Sequence, residues 1–340
     1  MGKTIATMTL VTLYDFNIRC CVVKATRTVS VRVNCCYFVI LFVVLLGSVQ
    51  LFVVSSCQFA MGAQYEEKLP AHNYEYAEKA LGETKENRDR CLVEIQQWLD
   101  ENPKINANRD ITSLIHFLRG AKFQMEKAKK RIETFYQMRA ERLEWFADRN
   151  PMKPELEELL DLGLFLPLHT KDVNNYQVFI IRTGVHDTHK HDQNDVLKVM
   201  KMVLDVILYL DETISIYGTV AIFDMKNVTW RHGLQMTPTI IKRAVHCWEN
   251  YSCKVKKLEF VNAPQHINLI LDIFLKFMSK KLRNRVFVTR GQSTVEATLP
   301  KDLGGDGPSY EELSKHWKQK TQEKAKWFAE QEQYKMILDE

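Results

Sequence analysis

Apolar positions divide the chain into stretches of two different periods. From 83 to 149 they recur at spacings of three and four: Leu92, Ile95, Trp98 and Leu99 before the breaker Asn102-Pro103, then Ile111, Leu114, Ile115, Phe117 and Leu118 behind Asp110, then Ala128, Ile132, Phe135, Tyr136 and Met138 on to Trp145. That spacing predicts three amphipathic helices. Beyond the linker at Asn150-Pro151 short apolar runs with strand character take over, YQVFIIR (176–182), GTVAIFDM (218–225), KKLEFVNAP (256–264) and RVFVTRG (285–291). Between them lie helical stretches. Asp192 can cap one that runs to about Leu210, with Val196, Leu197, Val199, Met200, Val203, Leu204 and Ile207 as its apolar face, and Pro238 opens another through Ile241, Ala244, Val245 and Trp248. Alternating strands and helices predict an α/β fold, a mostly parallel sheet flanked by helices behind an N-terminal helical bundle. Ser309 and Glu312 form a capping box for a final charged, exposed helix reaching Leu338.

The stretch 267–278 breaks the amphipathic rule. Nine of its twelve residues are apolar, and Asn268, Asp272 and Lys276, spaced by four, make one narrow polar stripe. An ordinary surface helix shows an apolar stripe of roughly 100 degrees, so this one must cover apolar material over most of its circumference, as a lid does. Seven cations flank it: Lys254, Lys256 and Lys257 on the strand before, Lys280, Lys281, Arg283 and Arg285 after. An apolar element beside cations suits a membrane surface, although a greasy helix is more commonly core and cations in a last turn also complement the helix dipole.

Charge and composition sharpen the picture at the N-terminus. Residues 1–60 hold five basic residues and one acid, leaving 42 basic and 41 acidic residues of the chain's 47 and 42 for the remainder. The body is therefore nearly neutral, which argues against a nucleic-acid partner. Within the leader, 36–54 is interrupted only by Gly47, Ser48 and Gln50 and is long enough to cross a hydrocarbon core. Lys24, Arg27 and Arg32 precede it and no charge follows before Glu66, so as an anchor it would place the body on the lumenal side. Three readings stand: a transmembrane anchor, a cleaved signal, or a start at Met61 with an inauthentic leader. Five of the eight cysteines lie in the leader, and Cys91, Cys247 and Cys253 in the body make no disulfide framework, which favours a reducing compartment.

No catalytic constellation is present: no G-x-S-x-G elbow, Walker loop, G-x-G-x-x-G, H-E-x-x-H or Cys-x-x-Cys. His186, His189 and His191 would hold zinc only if their loop folded back, and no regular element fixes them, so no metal is expected. Binding, not catalysis, is the expected activity.

Four segments carry a resemblance: LIHFLRGAKFQMEKA (114–128), GTVAIFDMKN (218–227), LEFVNAP through RNRVFV (258–288) and LPKDLGG (299–305). In order and spacing the chain resembles the CRAL-TRIO lipid-transfer family, especially its branch of alpha-tocopherol transfer protein, clavesin and retinaldehyde-binding protein. The resemblance implies a helical bundle over 61–150, a lipid-binding domain over 151–308 whose hydrophobic pocket is closed by a lid helix, and a C-terminal helix over 309–340. It implies no cofactor, a bound hydrophobic lipid, a phosphoinositide-containing membrane as partner, and a cytoplasmic, peripherally membrane-associated monomer. Pocket positions of the tocopherol-transfer type fall on Leu197, Thr219, Ala221, Phe223, Val255, Leu258, Ile270, Phe274 and Met278. Phosphoinositide-contacting positions fall on Lys254, Lys256, Lys281 and Arg285. One further basic position of that type falls on Ala121, with Lys122 beside it, and Asp302 and Leu303 depart from the family's usual longer acid and aromatic residue. The alternative is a membrane-anchored adaptor that senses phosphoinositides without moving cargo.

Overall fold

The computed structural model describes residues 65–264, 268–289 and 291–338, together with three strands ahead of them: β1 (Cys21–Val22), β2 (Val39–Leu45) and β3 (Ser48–Val54). The chain forms two units, Met1–Gln64 and Tyr65–Glu340. The stretch expected to span a membrane is not helical where it is described. β2 and β3 pair antiparallel, with Val44 opposite Val49. Val, Ile and Phe favour a pleated strand. No helix among the described residues is long and apolar enough to cross a membrane. The Met61 start and four of the five leader cysteines, Cys20, Cys35, Cys36 and Cys57, lie outside the described residues.

The bundle consists of α1 (Ala71–Leu81), α2 (Lys85–Glu101), α3 (Ile111–Gly120), α4 (Met125–Glu141) and the single turn α5 (Leu143–Phe146). Thr84 accepts from the Asn87 amide and Asp110 from that of Ser113, each satisfying an N–H that a helix start leaves orphaned. The predicted periodic positions are the core: Ile95, Leu99, Leu114, Ile115, Leu118 and Ile132 are all fully or almost fully buried.

After α6 (Pro154–Asp161) comes a five-stranded sheet, in the spatial order β4 (Phe165–Lys171), β5 (Gln177–Arg182), β6 (Thr219–Asp224), β7 (Val255–Val261) and β8 (Val286–Val288). β4 runs antiparallel to β5, and all other neighbours are parallel. β4 is invisible in the sequence because it contains Pro167, which an edge strand tolerates. Helices α7 (Gln193–Leu210) and α8 (Thr213–Tyr217) connect β5 to β6. α9 (Trp230–Gln235) and α10 (Pro238–Asn250) lead to β7, and α11 (Asn268–Phe277) with α12 (Lys280–Arg283) leads to β8.

The period of two sorts the sheet into two cores. Phe179, Ile181, Ala221, Phe223, Leu258 and Phe260 join the larger core with α7 and α10, while Val178, Ile180, Val220 and Ile222 pack on the other face with Tyr310 and Leu313. The C-terminal segment is not the single exposed helix that its charge suggested. It breaks into α13 (Tyr310–Gln322) and α14 (Ala325–Gln331), and buries Trp317 and Phe328. Trp317 Nε1 donates to the Pro167 carbonyl at 2.7 Å, and Arg139 of the bundle holds the carbonyls of Gln331 and Tyr334. The Ser309–Glu312 capping box forms as predicted, and Asp302, short as it is, accepts from the Tyr310 amide at 2.7 Å.

Candidate functional site: an apolar cavity beside an unpaired basic cluster

Two apolar cavities lie over one face of the sheet. The outer one, about 120 Å³, is bounded by α7, α9, α10 and α11, with Ile270, Leu271 and Phe274 of the lid above Phe223 and Phe260 of the floor. The inner one, about 90 Å³, reaches along β6 and β7 to Phe165 and Phe179. Ile181, Leu197, Met200, Phe223 and Trp248 form the wall that both share. Even together the two fall short of the ~300–1,000 Å³ typical of ligand pockets, so the unbranched Met200 and the dividing rings must shift for a lipid to fill them.

Eight of the nine expected pocket residues line these spaces. Ile270 and Phe274 face the outer cavity, Thr219, Ala221, Val255 and Leu258 the inner, and Leu197 and Phe223 both. Met278 is buried but lines neither. Thr219, Ala221 and Phe223 alternate along β6, which puts the small side chains of Thr219 and Ala221 under the inner space and the Phe223 ring between the two cavities. An aromatic chain ties lid to floor: Phe260 stacks on Phe223 with centroids 4.5 Å apart, Phe223 meets Trp248 at 5.7 Å, and Trp248 stacks on Phe274 at 5.5 Å.

The lid is covered on one side only. Leu271 and Phe274 are buried, but Leu269 is 74% exposed and Phe277 is exposed as well, so the expectation that most of the circumference is covered fails. A second helix shares this bare surface. On α9, Trp230 and Leu234 stand one turn apart, 62% and 65% exposed, and Gly233 lies close against Ile270 of the lid. The spacing of Trp230 and Leu234 was visible in the sequence, but six residues are too few for a periodicity to register.

The four expected cations converge near the N-terminal end of β7, and two more join them. Lys254, half-buried, feels Lys122, Lys256, Arg131 and Lys281; Lys256 and Lys281 each feel Arg285 and Lys122. None of these six has a carboxylate within ion-pair distance among the described residues. Burial first, and then these like charges, lower the Lys254 ammonium to about 7 from an ordinary 10.5. Lys256 and Lys281 are lowered for the same reasons. Arg131 comes from α4, far away in sequence, which is why the linear pattern missed it. It is partly buried, and its Nη1 has no hydrogen-bond partner among the described residues. A Cβ on Gly120 would stand 2.6 Å from that nitrogen, so glycine there leaves the guanidinium its place. Lys122 enters through a left-handed backbone, φ 55°, in the turn after α3, and thereby occupies the neighbourhood left without a cation by Ala121.

Arg119, in contrast, is no phosphate ligand. It is completely buried, held by Glu83 at 2.7 Å through two nitrogens and by Glu212 at 2.5 Å. The three histidines do not converge on a metal either: His189 is exposed, and no group of three His, Cys, Asp or Glu among the described residues is arranged to hold an ion. Cys91, Cys247 and Cys253 are free and buried.

Comparison with known proteins agrees with this geometry. Residues 84–156 match the Pinta-like UBA domain, and residues 163–305 match the CRAL/TRIO domain. Clavesin-1 of Xenopus laevis is 26% identical over 250 residues, covering 70% of this chain and 75% of that protein. Clavesin-2 of Homo sapiens is 24% identical over 248 residues, covering 70% and 76%. A crystal structure of Sfh5 superposes with a TM-score of 0.42 at 17% identity, over 66% of this chain and 85% of that one, a likeness of outline from which nothing further follows. The CRAL/TRIO match, the clavesin relatives and the apolar cavity in the matched region together identify residues 163–305 as a CRAL/TRIO domain, a lipid-binding domain.

Proposed function

We propose that the chain carries a small hydrophobic lipid, of tocopherol, retinoid, other terpenoid or phospholipid type, in the joined cavities and exchanges it at phosphoinositide-containing membranes by displacement of α11. The observation that carries this reading is the juxtaposition of an apolar cavity under a half-bare lid with six cations that have no counter-charge among the described residues. Burial of roughly 400 Å² of apolar ligand surface contributes about 10 kcal/mol before association costs, so escape into water is slow. A bilayer offers Trp230, Leu234 and Leu269 an apolar medium, which lowers the cost of moving the lid. Lys254, Lys256, Lys281 and Arg285, with Lys122 and Arg131, attract phosphorylated headgroups and relieve their own repulsion in doing so.

The cavity favours a carrier over an adaptor that merely reads the membrane. Mass spectrometry of an organic extract of the purified full chain tests this: a stoichiometric apolar lipid is expected, and its absence from every preparation, with vesicle binding intact, would favour the adaptor.

A further inference from the structure

At its outer end the cavity ceases to be purely apolar, and one buried nitrogen there has no partner. His186 is 5% exposed and lines this end. Its tautomer follows from its neighbour. Gln235 Nε2 donates to the carbonyls of His191 at 2.9 Å and of Thr188 at 3.4 Å. Only the amide nitrogen can serve two carbonyls, so it is Oε1 that stands 2.9 Å from His186 Nε2. An amide oxygen only accepts, hence His186 Nε2 bears the proton and Nδ1 is a bare acceptor. Nδ1 makes no hydrogen bond among the described residues. Burial lowers the affinity of the ring for a second proton, which keeps the acceptor free.

The other polar groups at this end are occupied, with one exception. Thr183 donates its hydroxyl to the Asp224 carbonyl at 2.9 Å. His232 has one nitrogen at the His186 carbonyl (3.2 Å) and the other at the Thr229 hydroxyl (2.9 Å). Arg182 alternates with Ile181 along β5. Its guanidinium donates to the Leu162 carbonyl at 2.6 Å and lies over the ring of Tyr310, which packs on the opposite face of the sheet. No cation is therefore presented to a ligand head. The exception is Gln193, 9% exposed, whose side-chain amide bonds to nothing among the described residues.

A buried acceptor, a free amide and no cation suit neither a carboxylate nor a phosphate. They suit a hydroxyl. We infer that the carried lipid is an alcohol or phenol whose O–H donates to His186 Nδ1, with Gln193 as the second polar contact and the apolar body lying toward Phe223 and Ala221. This inference rests on the carrier reading above and names the chemical class of its cargo.

The test compares hexadecanol, geranylgeraniol and cholesterol with their methyl ethers, binding each to the full chain and following the fluorescence of the cavity-wall Trp248 and its fellow tryptophans. At least one alcohol is expected to bind about tenfold more tightly than its ether, the worth of one buried hydrogen bond. In His186→Phe, which keeps a ring but no acceptor, the ratio is expected to fall to near one. Should that variant not fold, nitrogen-15 NMR of histidine-labelled wild-type protein reads the same contact, since the Nδ1 resonance of His186 moves with the alcohol and not with the ether. Equal binding within every pair, a still Nδ1 resonance, or a preference that survives in His186→Phe overturns the inference and leaves the carrier reading standing. If none of the six binds, ethers included, the carrier reading fails and the inference with it.

Discussion

Lys254 Nζ donates to the main-chain carbonyl of Arg119 across 2.8 Å, so the most buried lysine of the basic cluster is tied to the last turn of α3. The negative end of a helix dipole favours a cation there. Burial and the neighbouring cations oppose it more strongly, as the fall to about 7 shows.

That value fixes the sign of two effects. A lysine depressed from 10.5 to about 7 costs folding stability while it is charged. The cost is present in full below pH 7 and is relieved as pH rises from 7 to 10.5, where the unfolded chain still holds the proton. A bound phosphate reverses the balance, because an anion favours the ammonium form. Binding of phosphoinositide vesicles at pH 8 is therefore expected to take up protons, measured by calorimetry in buffers of different ionisation enthalpy. Lys254→Met should lose most of that uptake, and an unchanged uptake would show that Lys254 does not meet the headgroup.

The side chain of Arg119 serves folding. With Glu83 at zero exposure beside it and Arg88 within 3.5 Å of the same carboxylate, removal of one charge strands the others. Glu83→Gln is expected to destabilise by about 3–5 kcal/mol, read by urea denaturation. A loss under 1 kcal/mol would mean that the network relaxes into water.

The exposed face of α9 and α11 makes a different forecast. Trp230→Ala/Leu234→Ala/Leu269→Ala should leave stability within about 0.5 kcal/mol per site, as exposed positions do, yet weaken vesicle partition more than tenfold, since each large side chain contributes roughly 1.5–3 kcal/mol when buried. Sedimentation with vesicles measures it. Unchanged partition would leave the cations as the sole membrane contact.

Ala221 sets the size of the inner cavity. Ala221→Phe is expected to fill it and to abolish extractable lipid, at a folding cost of about 1–3 kcal/mol for overpacking. Retention of the lipid at wild-type stoichiometry would place the cargo in the outer cavity alone.

Much of this architecture was legible because period and register are local properties. The apolar run 218–225 marked β6, the family resemblance placed Thr219, Ala221 and Phe223 at the pocket, and the three- and four-residue spacings of the bundle announced its core. Asp192 and Ser309 marked helix starts that appear where they were read. What escaped depends on contacts between distant segments. β4 hides behind Pro167 and exists only because β5 is there to pair with it. Arg131 joins the basic cluster from a helix more than a hundred residues upstream, and Arg119 looks like a surface cation until Glu83 and Glu212 are brought against it. His186 stood out as a metal-ligand candidate, but its tautomer becomes readable only once Gln235 is placed beside it.

If lipid leaves through the α9–α11 face when the cations engage a phosphorylated bilayer, the rate at which lipid loaded into the full chain passes to acceptor vesicles must depend on phosphatidylinositol bisphosphate, and it can be measured with and without that lipid in wild type and in Lys254→Ala/Arg285→Ala. Acceleration by the phosphoinositide is expected, and the double variant should lose it while still holding its lipid. A rate indifferent to the phosphoinositide, or equally accelerated in the variant, would contradict that route.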